Sequence, residues 1–339
     1  MASRRVDITF YATIDAATLK PYLPDVPLLL PLASWWRQDV QLARPPRLPH
    51  HLSHVAVDCG SYALAQRQLE PGYHFTAEQY VGWIRALGPA VRWAVLPDWP
   101  CEGADPREVR RRQAATTATA LAVLADHLSA GWCWCPVLQG QAVEDYLRHA
   151  IDLAGWVYEL RDVYAARGRA DDFRVCLGSL CRRNAASEIR AIVRAVAAVL
   201  PDLPLHLFGI KLGLLRQAGR LPDAVASLDS AAWSGRFGRD LDRCTDEQRR
   251  TCVACRAVVR PRLGPGPTVC PHWGHPLGAS QREYTVLIAL SRYRARLERA
   301  LLARGRGLDD RGTRAQARPR PPRQTLLPWA AERPSARAG

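Results

Sequence analysis

Short apolar runs, each closing on a polar or glycine-bearing motif, recur six times along the chain: HVAVDCGSY, WAVLPDW, CPVLQGQ, RVCLGSL, LHLFGIK and VASLDSAAW. Apolar runs without polar alternation are the pattern of strands buried on both faces, as in parallel sheets covered by crossover helices. The motifs place Asp58, Asp98, Gln139, Gly178, Gly209 and Asp229 at the ends of such strands. Strands are predicted at Val6–Tyr11, from Val55, and at Arg92–Leu96, Trp134–Leu138, Trp156–Leu160, Phe173–Leu177, Leu205–Phe208 and Ala224–Leu228. Helices are predicted at Thr76–Leu87, from Asp105 to about Leu128, and at Ala142–Leu153, Ser187–Leu200 and Arg282–Ala303. In DPREVRRRQ, Asp105 suits a cap, Pro106 the first helical position, and Glu108 the far side of a capping box. The proline-rich stretch through His50 defines no element by pattern and could wrap a barrel rim.

Eight strands alternating with helices give α/β architecture and the strand count of a (β/α)8 TIM barrel, in which function gathers at the carboxyl ends of the strands. The competing architecture is a doubly wound open sheet. That fold usually carries a glycine-rich phosphate loop after its first strand, and none is visible. The pattern divides the chain into a barrel over residues 1–240, a Cys/His-bearing subdomain with a closing helix over 241–304, and a disordered Arg/Pro-rich basic tail over 305–339.

A 48% hydrophobic share over 339 residues excludes a disordered chain and allows one large barrel or two ordinary domains. The formal charge of +15 suits a polyanionic partner. Lysine occurs only at Lys20 and Lys211, however, and much of the arginine lies in the tail, so charge alone leaves a nucleic-acid surface and a merely basic one equally open. No run reaches the roughly 20 apolar residues of a membrane span, Tyr22–Trp36 is broken by Pro24, Pro27 and Pro31, and the N-terminus has no signal-peptide core. The expectation is a cytoplasmic protein whose ten cysteines are thiols, core residues or metal ligands rather than disulfides.

Two carboxylates on one rim can divide a displacement at a sugar carbon, one attacking and the other moving protons. Asp58 and Asp229 are the natural pair, the alternative being that each aspartate caps the helix after its strand.

From about Val55 to about Ala303 the motifs resemble, in order, those of the tRNA-guanine transglycosylase (queuine tRNA-ribosyltransferase) superfamily. DCGSY is similar to its general acid/base motif, which implies that role for Asp58 and base stacking for Tyr62. LPDWPCE resembles the segment whose aspartate reads the guanine edge, implying Asp98, and LQGQ resembles VQGG, implying Gln139. LGSL is similar to the strand end that offers backbone contacts, implying Gly178 and Ser179, and SLDSAAW looks like the nucleophile motif, implying Asp229. The family also carries a structural zinc, for which the resemblance implies Cys252, Cys255, Cys270 and His275. His272 is the rival fourth ligand, and Cys270 departs from the family's usual single CxCxxC cluster.

PDWPCE and LGSLCRRN look most like the DpdA branch, the deazapurine DNA-modification proteins. This likeness implies a pentosyltransferase that exchanges guanine in DNA for a 7-deazaguanine such as 7-cyano-7-deazaguanine, with Arg182 and Arg183 near the phosphates and other proteins of a DNA-modification system as possible partners. The alternatives are the same chemistry on tRNA and a non-catalytic nucleic-acid-binding paralogue.

Overall fold

A computed structural model of the chain describes residues 8–14, 19, 26–35, 44–61, 75–217, 221–232, 281–303 and 308–309. Its strands are β1 (Ile8–Thr13), β2 (Leu28–Pro31), β3 (Val55–Asp58), β4 (Val91–Val95), β5 (Cys133–Cys135), β6 (Val137–Leu138), β7 (Val175–Leu177), β8 (Leu205–Leu207), β9 (Val225–Ser230) and β10 (Leu308–Asp309). Hydrogen bonding runs in the order β5-β4-β3-β2-β1-β9-β8-β7-β6, with every neighbour parallel. The two ends of this path are consecutive in the chain, separated only by Pro136. Leu96 N–H bonds to Cys135 O on one side and Cys176 N–H to Pro136 O on the other. The sheet is thus a nearly closed parallel barrel in which β5 and β6 are one strand that changes partner at a proline, the residue with no N–H to give the ladder. β10 pairs with β1 at Ile8 and Thr9, below the point where β2 joins it.

The helices are α1 (Ala77–Leu87), α2 (Pro106–His127), α3 (Val143–Ala166), α4 (Ala186–Val199), α5 (Leu212–Gln217) and α6 (Gln281–Leu302). α1 starts at a capping box: Gln79 N–H donates to Thr76 Oγ1 at 3.2 Å and Thr76 N–H to Gln79 Oε1 at 2.9 Å. Its residues Tyr80, Val81, Ile84 and Leu87 return at helical spacing and are buried. α2 starts as expected at Asp105, whose Oδ1 accepts from Arg107 and Glu108 N–H, with Pro106 in the first turn. Glu108 does not close the box; its carboxylate pairs with Arg111 and Arg112.

Two corrections cancel in the strand count. Trp156–Leu160 is not a strand but the middle of α3, whose buried positions Tyr146, Ala150, Leu153, Val157, Leu160 and Tyr164 continue one helical stripe straight through it. The missing eighth barrel strand is β2, inside the proline-rich stretch. Its Leu28, Leu29 and Leu30 are buried, and its prolines flank the ladder: Pro27 accepts from Ala12 N–H through its carbonyl and Pro31 ends the strand. Among the described residues no helix is long and apolar enough to cross a membrane. The six described cysteines are free thiols, in keeping with the expectation of no disulfide framework.

Candidate active site

Because all eight staves of the barrel run the same way, their carboxyl ends open on one mouth. Asp58 ends β3, Asp98 follows β4, Gln139 follows β6, Gly178 and Ser179 follow β7, and Asp229 lies near the end of β9. Tyr62, Cys252, Cys255, Cys270, His272 and His275 lie outside the described residues. Among the described residues no group of three or more His, Cys, Asp or Glu is placed to hold a metal.

Four strand ends are tied together by one chain of hydrogen bonds. Cys101 N–H donates to Ser179 Oγ at 2.8 Å, and Ser179 O–H donates to Gln139 Oε1 at 2.6 Å. Gln139 Nε2 donates to Asp98 Oδ2, while the Cys59 thiol donates to Asp98 Oδ1 at 2.9 Å. Ser179 is the non-glycine residue among those described that adopts a left-handed backbone, at φ +53°. Such a conformation costs about 1 kcal/mol or more and persists where surroundings over-determine it; here both hydrogen bonds of Oγ require it.

Gln139 is gripped from its backbone as well. Its N–H donates to His149 Nδ1 at 3.0 Å and its carbonyl accepts from Gln113 Nε2 at 2.7 Å. Gln113 also donates to Asp145 O, and Asp145 Oδ2 accepts from Ala142 N–H at 2.8 Å, which fixes the loop that enters α3. Burial pushes His149 down to about 4, so it stays neutral and accepts. Gly178 is glycine because space is absent: a Cβ there would run into the Gln139 carboxamide, 2.6 Å from Cδ and 2.8 Å from Oε1. Its carbonyl accepts from Tyr146 O–H at 2.6 Å.

Asp229 is held differently, within β9 and against its neighbours. Thr13 O–H donates to Oδ2 at 2.5 Å, Gly209 N–H donates to Oδ1 at 2.9 Å, and His206 Nε2 stands 3.4 Å from Oδ1. Gly209, first read only as a close-packing glycine, packs tightly against Cys181 and also supplies this donor. Thr13 and His206 escaped the sequence reading, although a histidine inside the apolar run LHLF is a visible signal. Asp58 sits opposite in character. Its one printed donor is Gly60 N–H at 3.3 Å, and it keeps slight exposure at the mouth while being otherwise enclosed by protein. Burial first, then the charges of Asp98 and Asp229, push its carboxyl up to about 7. Asp98 is also raised by burial, against the pull of its Cys59, Ser61 and Gln139 hydrogen bonds.

The mouth therefore carries three carboxylates in different states of support: one near half-protonation at neutral pH, one locked to a carboxamide, and one held by three N–H or O–H groups. The arginine pair after β7 divides too. Arg182 is exposed and pairs with Glu102. Arg183 is buried, and its guanidinium is taken up by the carbonyls of Ser179, Gly140 and Gln141 and by Glu188, so it secures the loops instead of facing a phosphate.

A sequence model of the DpdA family, DeoxyPurine in DNA protein A, matches residues 29–293, most of the chain and nearly all of the barrel. No curated protein matches it. The match spans every described motif of the mouth, from Asp58 to Asp229, and with the parallel barrel behind them the chain belongs to the DpdA family.

Proposed function

We propose that the protein is a DNA guanine transglycosylase that replaces guanine with a 7-deazaguanine through a covalent aspartyl-sugar intermediate. The observation that carries this reading is the contrast between Asp58, pushed up to about 7, and Asp229, held by Thr13, Gly209 and His206. A base exchange needs one group that can both give and take a proton and another that stays a nucleophile.

In the first half, a nucleoside flipped from its stack enters the barrel mouth, at an unstacking cost of about a few kcal/mol. A carboxylate oxygen of Asp229 bonds to C1′ as the C1′–N9 bond breaks. The electron pair leaves with guanine, which takes the proton of Asp58. In the second half, the incoming 7-deazaguanine gives its N9 proton to the Asp58 carboxylate and N9 bonds to C1′. The ester bond to Asp229 then breaks and the carboxylate is restored. Asp98, Gln139 and the backbone at Gly178 and Ser179 read the amide and amino edge that both bases share, and Tyr62 stacks on the ring. The same motifs would serve tRNA, so the polymer is the part of the reading that rests on family membership.

The chain also carries donors for a structural zinc in Cys252, Cys255, Cys270 and His275, a Cys3His set suited to a closed tetrahedral site. No step of the exchange runs through that metal.

Mass spectrometry of nucleosides, after incubation with 7-cyano-7-deazaguanine and either DNA or tRNA, tests the proposal. The modified deoxynucleoside is expected in DNA and to vanish with Asp229→Ala. Modification of tRNA alone would decide for the tRNA enzyme, and modification of neither would leave the binding paralogue.

A further inference from the structure

We propose that His206 is a positioning residue whose Nε2–H fixes Asp229 Oδ1, in a tautomer set from below by Ser227 and Arg174. Its effect on rate rests on the base-exchange reading; the tautomer itself does not.

His206 is fully buried in the barrel interior. Its ring lies 5.9 Å from that of Tyr11 on β1, 5.0 Å from Trp93 on β4 and 4.8 Å from Phe208, each close to edge-on. β1, β4 and β8 are not neighbours in the sheet, so these contacts cross the barrel and leave the imidazole little room to turn. Below it, Arg174 Nε donates to Ser227 Oγ at 3.0 Å, and Arg174 Nη1 donates to Asp171 O at 2.8 Å. Ser227 Oγ in turn is 2.9 Å from His206 Nδ1.

The proton count then follows. Arginine only donates, so Ser227 uses one lone pair to accept from Arg174 and has its single proton for His206 Nδ1. With Nδ1 accepting, the ring proton resides on Nε2, which faces Asp229 Oδ1 at 3.4 Å. The opposite tautomer would aim a bare lone pair at a carboxylate where no water reaches. The charged and titratable groups facing the ring are Asp229, Arg174 and the Tyr11 hydroxyl, which accepts from Trp93 Nε1. Burial, with a smaller contribution from Arg174, holds His206 below the usual imidazole range, so it is a neutral donor at working pH. The separation of 3.4 Å is longer than a formed hydrogen bond, and such contacts tighten as the reacting complex forms.

Two N–H groups on Oδ1 make it the anchored oxygen. Oδ2, held by the rotatable Thr13 hydroxyl alone, is left as the atom that bonds to C1′. On esterification Oδ1 becomes the carbonyl oxygen and keeps both donors, whereas the Thr13 bond is released.

The test pairs single-turnover kinetics of covalent adduct formation with nuclear magnetic resonance of 15N-histidine-labelled protein. His206→Phe should slow adduct formation about 100-fold with unchanged DNA affinity, the scale expected from misplacing a reacting group. His206→Gln, whose carboxamide N–H can replace Nε2–H, should recover most of that loss. Should the phenylalanine variant not fold, Ser227→Ala serves in its place, and it should both slow adduct formation and shift the His206 tautomer. In the wild type, His206 should show the Nε2–H tautomer and no titration between about pH 5 and 8. Adduct formation at the wild-type rate in His206→Phe or Ser227→Ala would overturn the role, and an Nδ1–H tautomer would overturn it whatever the kinetics. If the wild type forms no Asp229-dependent adduct, the exchange reading fails while the tautomer measurement still decides the arrangement.

Discussion

The main-chain N–H of Gly209 donates to Asp229 Oδ1 at 2.9 Å, so the loop after β8 holds the carboxylate of β9. Gly209 sits at φ +64°, and a Cβ on it would lie 2.9 Å from Cys181 Cβ and 3.1 Å from Cys181 Cα, besides meeting the thiol. Gly209→Ala should therefore cost about 3 kcal/mol, from left-handed backbone strain and overpacking together. Adding Cys181→Ala should recover the steric part and leave about 1 kcal/mol. Urea melts of both variants check this; a single variant as stable as the wild type would contradict it.

Asp58 makes stability depend on pH in a definite direction. Its carboxyl titrates at about 7 in the folded protein against an ordinary 3.8. Between those values the folded state binds a proton that the unfolded state has released, so Asp58 destabilises the fold increasingly as pH rises, fully so above about 7. Asp58→Asn removes that penalty. The variant should be more stable than the wild type at pH 8, by on the order of 2 kcal/mol, and equal to it near pH 4. The same variant should lose base exchange, and in the wild type the guanine-releasing half should slow as pH rises through about 7, since it needs the protonated acid. Thermal melts and single-turnover rates across pH 5–9 read both effects.

Gly178→Ala drives a methyl into the Gln139 carboxamide and so displaces the partner of Asp98. Affinity for free guanine should fall at least about tenfold, the loss of roughly one good hydrogen bond, while the circular dichroism spectrum is retained. Calorimetric titration with guanine measures it, and unchanged affinity would remove Gln139 from the base-reading role.

The barrel was legible because parallel strands buried on both faces announce themselves as apolar runs, and the rim because each run ended in a polar group. The WVYEL segment misled for the same reason: it is apolar and rich in strand formers, yet the stripe through Leu153, Val157 and Leu160 keeps helical period when followed from Tyr146. β2 was hidden by prolines that flank the ladder without interrupting it. What single residues do for one another was the least visible. Nothing in the motif order shows that Arg183 turns inward onto carbonyls, that Cys59 donates to Asp98, or that Thr13 and His206 converge on a carboxylate about 200 residues away or two strands across, because those contacts follow from barrel closure.

The zinc assignment makes a separate prediction. Elemental analysis of the purified wild type should give about one zinc per chain, a stoichiometry set by the four donors. Cys255→Ser should lose it and Asp229→Ala should keep it. Zinc-free wild-type protein that is fully folded would remove the site.

The most direct test of the exchange reading is the covalent intermediate itself. Protein incubated with guanine-containing DNA and no acceptor base, then denatured, should carry a DNA adduct that maps to Asp229 by peptide mass spectrometry. The adduct should be released on adding 7-cyano-7-deazaguanine and be absent in Asp229→Ala. Incorporation of the deazapurine without any adduct at Asp229, or an adduct that survives Asp229→Ala, would contradict the account.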